Sequence, residues 1–261
     1  MIPYFPAPVF SIAGRQISAF SLLLIFAIAV GVAIAIRRAR RLQIDTDRMW
    51  RMCFWAIASG LAGAHIAKMA MDYTPQFLAH PSIVFRPGGI RSLGGLVGGL
   101  IGAAAFGRFR KASFAETFDM LDTIAFALPF GWMIGRFGCF LAHDHRGDLT
   151  ASWIAVQFPE GPRFDLGLIE FLFLIVLSGL FYWLDRQPRP VGFFFALFGV
   201  VYSAFRIWLD TLHTQPFRFY GGMFGCAVGI AGWLAMRRLQ TYSEGSLNTR
   251  SGRKYSAGIN T

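Results

Sequence analysis

Charge is scarce in this 261-residue chain: Asp, Glu, Lys and Arg together make up 15% of it, against about 25% in a soluble domain. With 55% hydrophobic residues, the chain has too little polar surface to face water on all sides, which excludes a cytosolic globular enzyme. Acidic residues are outnumbered 14 to 25 by basic ones, leaving a net charge of +11. Cysteine is nearly absent. Cys53, Cys139 and Cys226 lie far apart within apolar stretches, so no disulfide framework or zinc motif is present. Residues 1–20 lack both a basic leader and a small-residue cleavage site, and the first helix is therefore expected to be retained. No internal repeat appears, which removes the symmetry expected of an inverted-repeat transporter.

Long apolar runs are what the chain does have. A spanning helix needs about 20 apolar residues to cross about 30 Å of hydrocarbon. Seven stretches qualify, at 17–36, 50–71, 93–107, 118–141, 166–184, 191–209 and 219–236. The expected fold class is all-α, a polytopic membrane protein of about seven transmembrane helices, with residues 1–240 forming the membrane domain. Residues 241–261, rich in Ser, Gly and Asn and basic, read as a disordered cytoplasmic tail.

Basic residues set the expected orientation. With the N-terminus outside, the inner loops and tail hold fifteen, among them Arg37, Arg38, Arg40, Arg41, Arg108, Arg110, Lys111, Arg186 and Arg189, and the outer segments hold six. Positive loops resist translocation, so N-out, C-in is expected. The surplus charge is then a matter of topology and anionic lipid, not of nucleic acid.

Four basic residues fall at or within spans: Arg51, Lys68, Arg136 and Arg206. A charge at the bilayer centre costs about 2.5–3.5 kcal/mol, so each needs a reason. Arg51 and Lys68 lie close enough to helix ends to snorkel. Arg136 and Arg206 each lie four to six residues inside the outer end of a span, roughly 6–9 Å below the interface at about 1.5 Å per residue. Two arginines at one depth suggest one anionic ligand, since a guanidinium offers a planar fork to phosphate oxygens and keeps its proton.

Around Arg136, Gly131, Gly135 and Gly138 strip the helix of side chains and permit close approach. The bland alternative is that Arg136 pairs with Asp122 or Asp210 as helix glue. Arg206 and Asp210 stand at i and i+4 on one helical face, where the carboxylate can aim the guanidinium or simply pair with it. Beyond Arg136 comes Ala142-His143-Asp144-His145-Arg146-Gly147. Its histidines can take a proton near neutral pH, and His145, or His143, is the candidate base. The same run also reads as a solvated turn, and as a metal site it lacks a clear third ligand. Cys139 reads as a small buried residue before it reads as a nucleophile. His65 reads as a helix contact, and the Gly94-Gly95 and Gly98-Gly99 pairs as a packing face.

These residues carry a resemblance to the prolipoprotein diacylglyceryl transferase family, spread over most of residues 2–236. It runs through Ile2-Pro-Tyr-Phe-Pro, Gly98-Gly99-Leu-Ile-Gly102, Asp122 with Gly135-Arg136-Phe137-Gly138, Gly147, Trp153 to Pro159, Glu170, and Phe205-Arg206 with Asp210. The resemblance implies seven spans and transfer of diacylglycerol from phosphatidylglycerol to a lipobox cysteine, with no metal or organic cofactor. It adds Gly98, Gly99, Gly147 and Glu170 to the expected substrate-binding set of Arg136, Arg206, Gly135, Gly138, Asp122 and Asp210. Departures are as informative. Val97 stands where the family has a histidine, Cys139 where it has an asparagine, and Phe164 replaces another histidine. His65 and His213 replace arginines. Set against the family's pattern, the resemblance implies that phosphate recognition is kept while proton handling is altered. The alternative is therefore a paralogue that binds anionic phospholipid without modifying lipoproteins; a small-anion transporter would need a continuous polar path.

Overall fold

In a computed structural model, which describes residues 1–12, 14–85, 89–213, 225–234 and 237, helices begin where a side-chain oxygen can accept the unpaired N–H groups of a first turn. Ser18 accepts from the Ser21 N–H at 3.2 Å to open α1 (Ala19–Arg41). Asp45 accepts from Asp47 and Arg48 to open α2 (Thr46–Asp72). After the short α3 (Thr74–Ala79) and α4 (Ser92–Phe109), Ser113 and Glu116 form a capping box for α5 (Phe114–Ala142). Asp165 accepts from Leu168 to start α6 (Leu166–Leu184). At the head of α7 (Phe193–Asp210) the cap position is Gly192, at φ 90°, which has no side chain to offer. Its cap comes from α5 instead: Asp122 Oδ1 accepts from the Phe195 N–H at 2.9 Å.

The molecule is mostly helical, and α1, α4, α5, α6 and α7 are each long and apolar enough to cross a membrane. At 27 residues α2 is also long enough, but less apolar. Large apolar side chains such as Ile25, Phe26, Ile101 and Val176 point outward and are more than half exposed, as lipid contact requires. Helices thus occupy the first six expected stretches, overrunning several of them by polar end turns. Of the seventh, residues 225–234 form an apolar helix, α8 (Gly225–Leu234); its remaining residues and the tail at 241–261 lie outside the described residues.

Short strands, absent from the all-α expectation, gather at one end of the bundle. β1 (Ile2–Pro3), β4 (Arg146–Leu149), β5 (Val156–Phe158) and β6 (Gly161–Asp165) form a sheet in the order β1-β5-β6-β4, while β2 (Val9–Ile12) and β3 (Arg15–Ser18) make a hairpin. Ile2 pairs in parallel with Val156, which fastens the N-terminal segment to the connection between α5 and α6.

At the opposite end, Arg38, expected in an inner loop, stands instead in the last turn of α1. It is buried at 7% exposure. Its Nε donates to Asp185 at 3.2 Å and its Nη1 to Thr123 at 3.0 Å, while Nη2 lies 3.5 Å from Asp122. Its guanidinium also sits over the rings of Phe126 and Phe194. Asp122 is therefore committed to α1 and α7. It does not reach Arg136, fourteen residues and about 21 Å further along the same helix.

The glycine pairs of α4 are occupied by packing. A Cβ on Gly98 would run into the Ser59 carbonyl of α2, and one on Gly99 would stand 3.2 Å from the Ala56 carbonyl. Gly98 and Gly99 therefore join α4 to α2 and do not line the arginine cluster. Gly98→Ala is expected to destabilise the protein by about 1–3 kcal/mol through overpacking, read as a lower thermal midpoint.

Candidate active site

A carboxylate buried in an apolar helix must be fully paired, and Glu170, five residues into α6, is 0% exposed. Its Oε1 accepts from Arg136 Nε at 2.8 Å and from the Tyr202 hydroxyl at 2.5 Å, and its Oε2 accepts from Arg206 Nη1 at 3.0 Å. Arg206 Nη2 also pairs with Asp210 at 2.9 Å, within α7. One carboxylate thus draws the two guanidinium groups, from α5 and α7, onto a single point. The formal charges of Arg136, Arg206, Glu170 and Asp210 cancel.

Arg136 keeps donors in reserve. Its Nε is held by Glu170, while among the described residues the hydrogen bonds of its terminal nitrogens are long: Nη2 to Ser92 Oγ at 3.5 Å, and Nη1 to His145 Nε2 at 3.5 Å and Cys139 Sγ at 3.9 Å. These exceed the usual 2.7–3.2 Å of an N–H donor bond. Two N–H edges of a buried, fixed guanidinium are therefore available to an anion. Arg206, 22% exposed in its side chain, spends both terminal nitrogens on carboxylates.

The two histidines beyond α5 part company. His145 comes to Arg136, and its Nδ1 lies 2.6 Å from Asp144 Oδ1. His143 ends α5 in the left-handed conformation, φ 50°, and turns away. It is buried, bonded through Nδ1 to Asp165 at 2.8 Å, and ringed by Tyr4, Phe5, Phe140 and Phe158. None of those bonds or ring contacts reaches Arg136 or Arg206. His143 therefore joins the N-terminal segment to the sheet. Burial pushes its partner Asp165 above the ordinary carboxylate value, against the pull of the histidine bond.

Cys139 Sγ, an Asp144 oxygen and a His145 nitrogen lie within 4.8 Å of one another, which supplies the third donor that the sequence lacks for a metal. Arg136 Nη1 already stands against the sulfur and the imidazole. A guanidinium cation thus holds the position a metal ion would take, and we assign the position to it.

Of the glycines, Gly135 has nothing within 4 Å of an added Cβ, and Gly138 packs against Phe20 and Leu23 of α1. Gly147 allows β4 to lie against the end of α7: a Cβ there would sit 2.7 Å from the Leu212 carbonyl, and the Gly147 backbone bridges to His213. His65 bonds through Nε2 to the Val84 carbonyl at 2.8 Å, a tie between α2 and the turn after α3. Tyr202, Ser92 and Asp144 were missed by the sequence reading as site residues. For Tyr202 a signal exists, since Tyr202, Arg206 and Asp210 recur every four residues on one face of α7.

Burial, with the Arg206 guanidinium nearby, holds His213 below the ordinary histidine value of 6.5. The unfolded chain then binds the proton more readily, so stability falls as pH drops through about 6.5 and towards the depressed folded value. Thermal unfolding at about pH 7 and about pH 5.5 is expected to show this drop, and His213→Gln to lessen it.

A family model described as prolipoprotein diacylglyceryl transferase matches residues 7–219 of the chain. Among curated relatives, the phosphatidylglycerol–prolipoprotein diacylglyceryl transferase of Mannheimia succiniciproducens is 29% identical over 236 residues, covering 87% of each chain. That of Nostoc sp. is 27% identical over 261 residues, covering 89% of this chain and 91% of the relative. That of Pseudomonas aeruginosa is 29% identical over 193 residues, covering 70% and 71%.

Proposed function

Because the chain belongs to the prolipoprotein diacylglyceryl transferase family, we propose that it transfers the diacylglyceryl group of phosphatidylglycerol to the lipobox cysteine thiol of a prolipoprotein. The thiolate sulfur attacks the glyceryl carbon bonded to phosphate, the C–S bond forms as the C–O bond breaks, and glycerol phosphate leaves with the bonding pair. The thiol proton goes to His145. The observation that carries this reading is the guanidinium of Arg136, fixed by Glu170 yet with its terminal nitrogens, among the described residues, in hydrogen bonds as long as 3.5–3.9 Å. A phosphate that takes those donors gains charge as it leaves, and a preformed cation in a water-poor site stabilises that charge most.

Arg206 and Asp210 act one step back, by holding Glu170 and through it Arg136. The sheet end of the bundle, with the arginine cluster, faces away from the cytoplasm of a bacterial inner membrane, as the excess of basic residues at the Arg38 end favours. Val97, where the resemblance places a histidine, favours a second reading, in which the chain binds phospholipid and does not transfer it.

Purified protein in lipid nanodiscs, given labelled phosphatidylglycerol and a lipobox peptide, separates the two. Label on the peptide cysteine supports the transferase. Retention of lipid without labelled peptide supports the binding protein, and the absence of both transfer and retention overturns both readings.

A further inference from the structure

His145 is held from both sides by groups that can act in one way only. On its Nε2 side stands Arg136 Nη1 at 3.5 Å, a group that donates and never accepts. On its Nδ1 side stands the Asp144 carboxylate at 2.6 Å, a group that accepts when ionised. Both neighbours demand the same tautomer, with the proton on Nδ1 and the lone pair on Nε2. A protonated ring would set N–H against N–H at Arg136.

We propose that Asp144 is a positioning residue, whose carboxylate fixes the Nδ1–H tautomer of His145 and aims the Nε2 lone pair at the space in front of Arg136 where the acceptor thiol arrives. This rests on the reading of His145 as base. The thiol gives its proton to Nε2, the sulfur keeps the electron pair, and Asp144 balances the imidazolium that results. The His145 and Asp144 side chains are 33% and 42% exposed, so the proton can pass on to water after transfer. Among the described residues, the other ionisable groups that face His145 are Arg136 and Cys139 of α5, Glu170 of α6 with Asp165 ahead of it, and His213 after α7. Asp144 alone among them bonds to Nδ1.

Two measurements test this on the full chain in nanodiscs. With nitrogen-15 histidine, NMR of the wild type, with His145 assigned by its loss in His145→Gln, is expected to show Nδ1–H. Asp144→Ala is expected to mix the tautomers. Transfer from phosphatidylglycerol to a lipobox peptide is expected to fall about 10- to 100-fold in Asp144→Ala, with the acid limb of its pH profile moved to lower pH, and to recover in Asp144→Glu. Phosphatidylglycerol affinity is expected to stay unchanged. An Nε2–H ring in the wild type, or an Asp144→Ala variant with the wild-type tautomer and pH profile, overturns the proposal. Undiminished transfer by His145→Gln instead overturns the base reading, while the tautomer measurement still decides what Asp144 does to the ring.

Discussion

Glu170→Ala is expected to cost about 3–5 kcal/mol, the range for breaking a buried ion pair by removing one partner. At 0% exposure the carboxylate serves three donors, Arg136 Nε, the Tyr202 hydroxyl and Arg206 Nη1. Alanine leaves two cations in a low-dielectric interior with one counterion fewer, and a buried hydroxyl without its acceptor. Water reaches such a site poorly, so little of the loss is recovered. For a chain of this size the change corresponds to a fall in thermal midpoint of about 10 °C. Glu170→Gln keeps the shape but presents an NH2 group to one set of donors, since both sides of the carboxylate face N–H or O–H groups. It is expected to fold better than the alanine variant and still lose transfer, because Arg136 loses its anchor. Thermal unfolding of both variants in detergent, against wild type, is the check. An unshifted midpoint in Glu170→Ala would mean that the cluster is not a unit.

Arg136→Lys is expected to reduce transfer by about 10²–10³-fold, the usual cost of removing one charge-stabilising donor from an active site. Lysine keeps the charge but has no fork: it cannot hold Glu170 through one nitrogen while turning two others to a phosphate. Arg206→Lys is expected to be milder, about tenfold, since one ammonium can still reach a carboxylate by a point contact. Single-turnover transfer, with phospholipid binding measured separately, distinguishes the two. If Arg136→Lys keeps more than about a tenth of wild-type turnover, the phosphate-binding role passes to another group.

The residues themselves explain which features were legible in advance. Six helices coincide with apolar stretches because about 30 Å of hydrocarbon requires a run of known length, and that requirement acts on each run separately. Arg206 and Asp210 pair as their spacing indicates, since a helix makes i and i+4 neighbours whatever surrounds it. Glu170 could be singled out by resemblance, but its function as a bridge depends on α5 and α7 arriving on either side of it. Asp122 was misplaced for a reason already present in the chain: fourteen helical residues separate it from Arg136, too far for contact. Its actual partners, Arg38 and the Phe195 N–H, come from helices remote in sequence. The strands escaped notice because they are two to five residues long, too short to leave a periodic signal, and because β1 pairs with a segment remote in sequence.

By itself the amino-acid sequence determined that this chain is a helical membrane protein with two arginines at matching depth, because hydropathy and helical spacing are local properties. Only the tertiary structure decided that Glu170 joins those arginines, that Arg38 takes Asp122, and that His145 and not His143 faces Arg136. Buried charges take whichever partners the packed helices bring within about 3 Å, and that choice is made across the bundle and not along the chain.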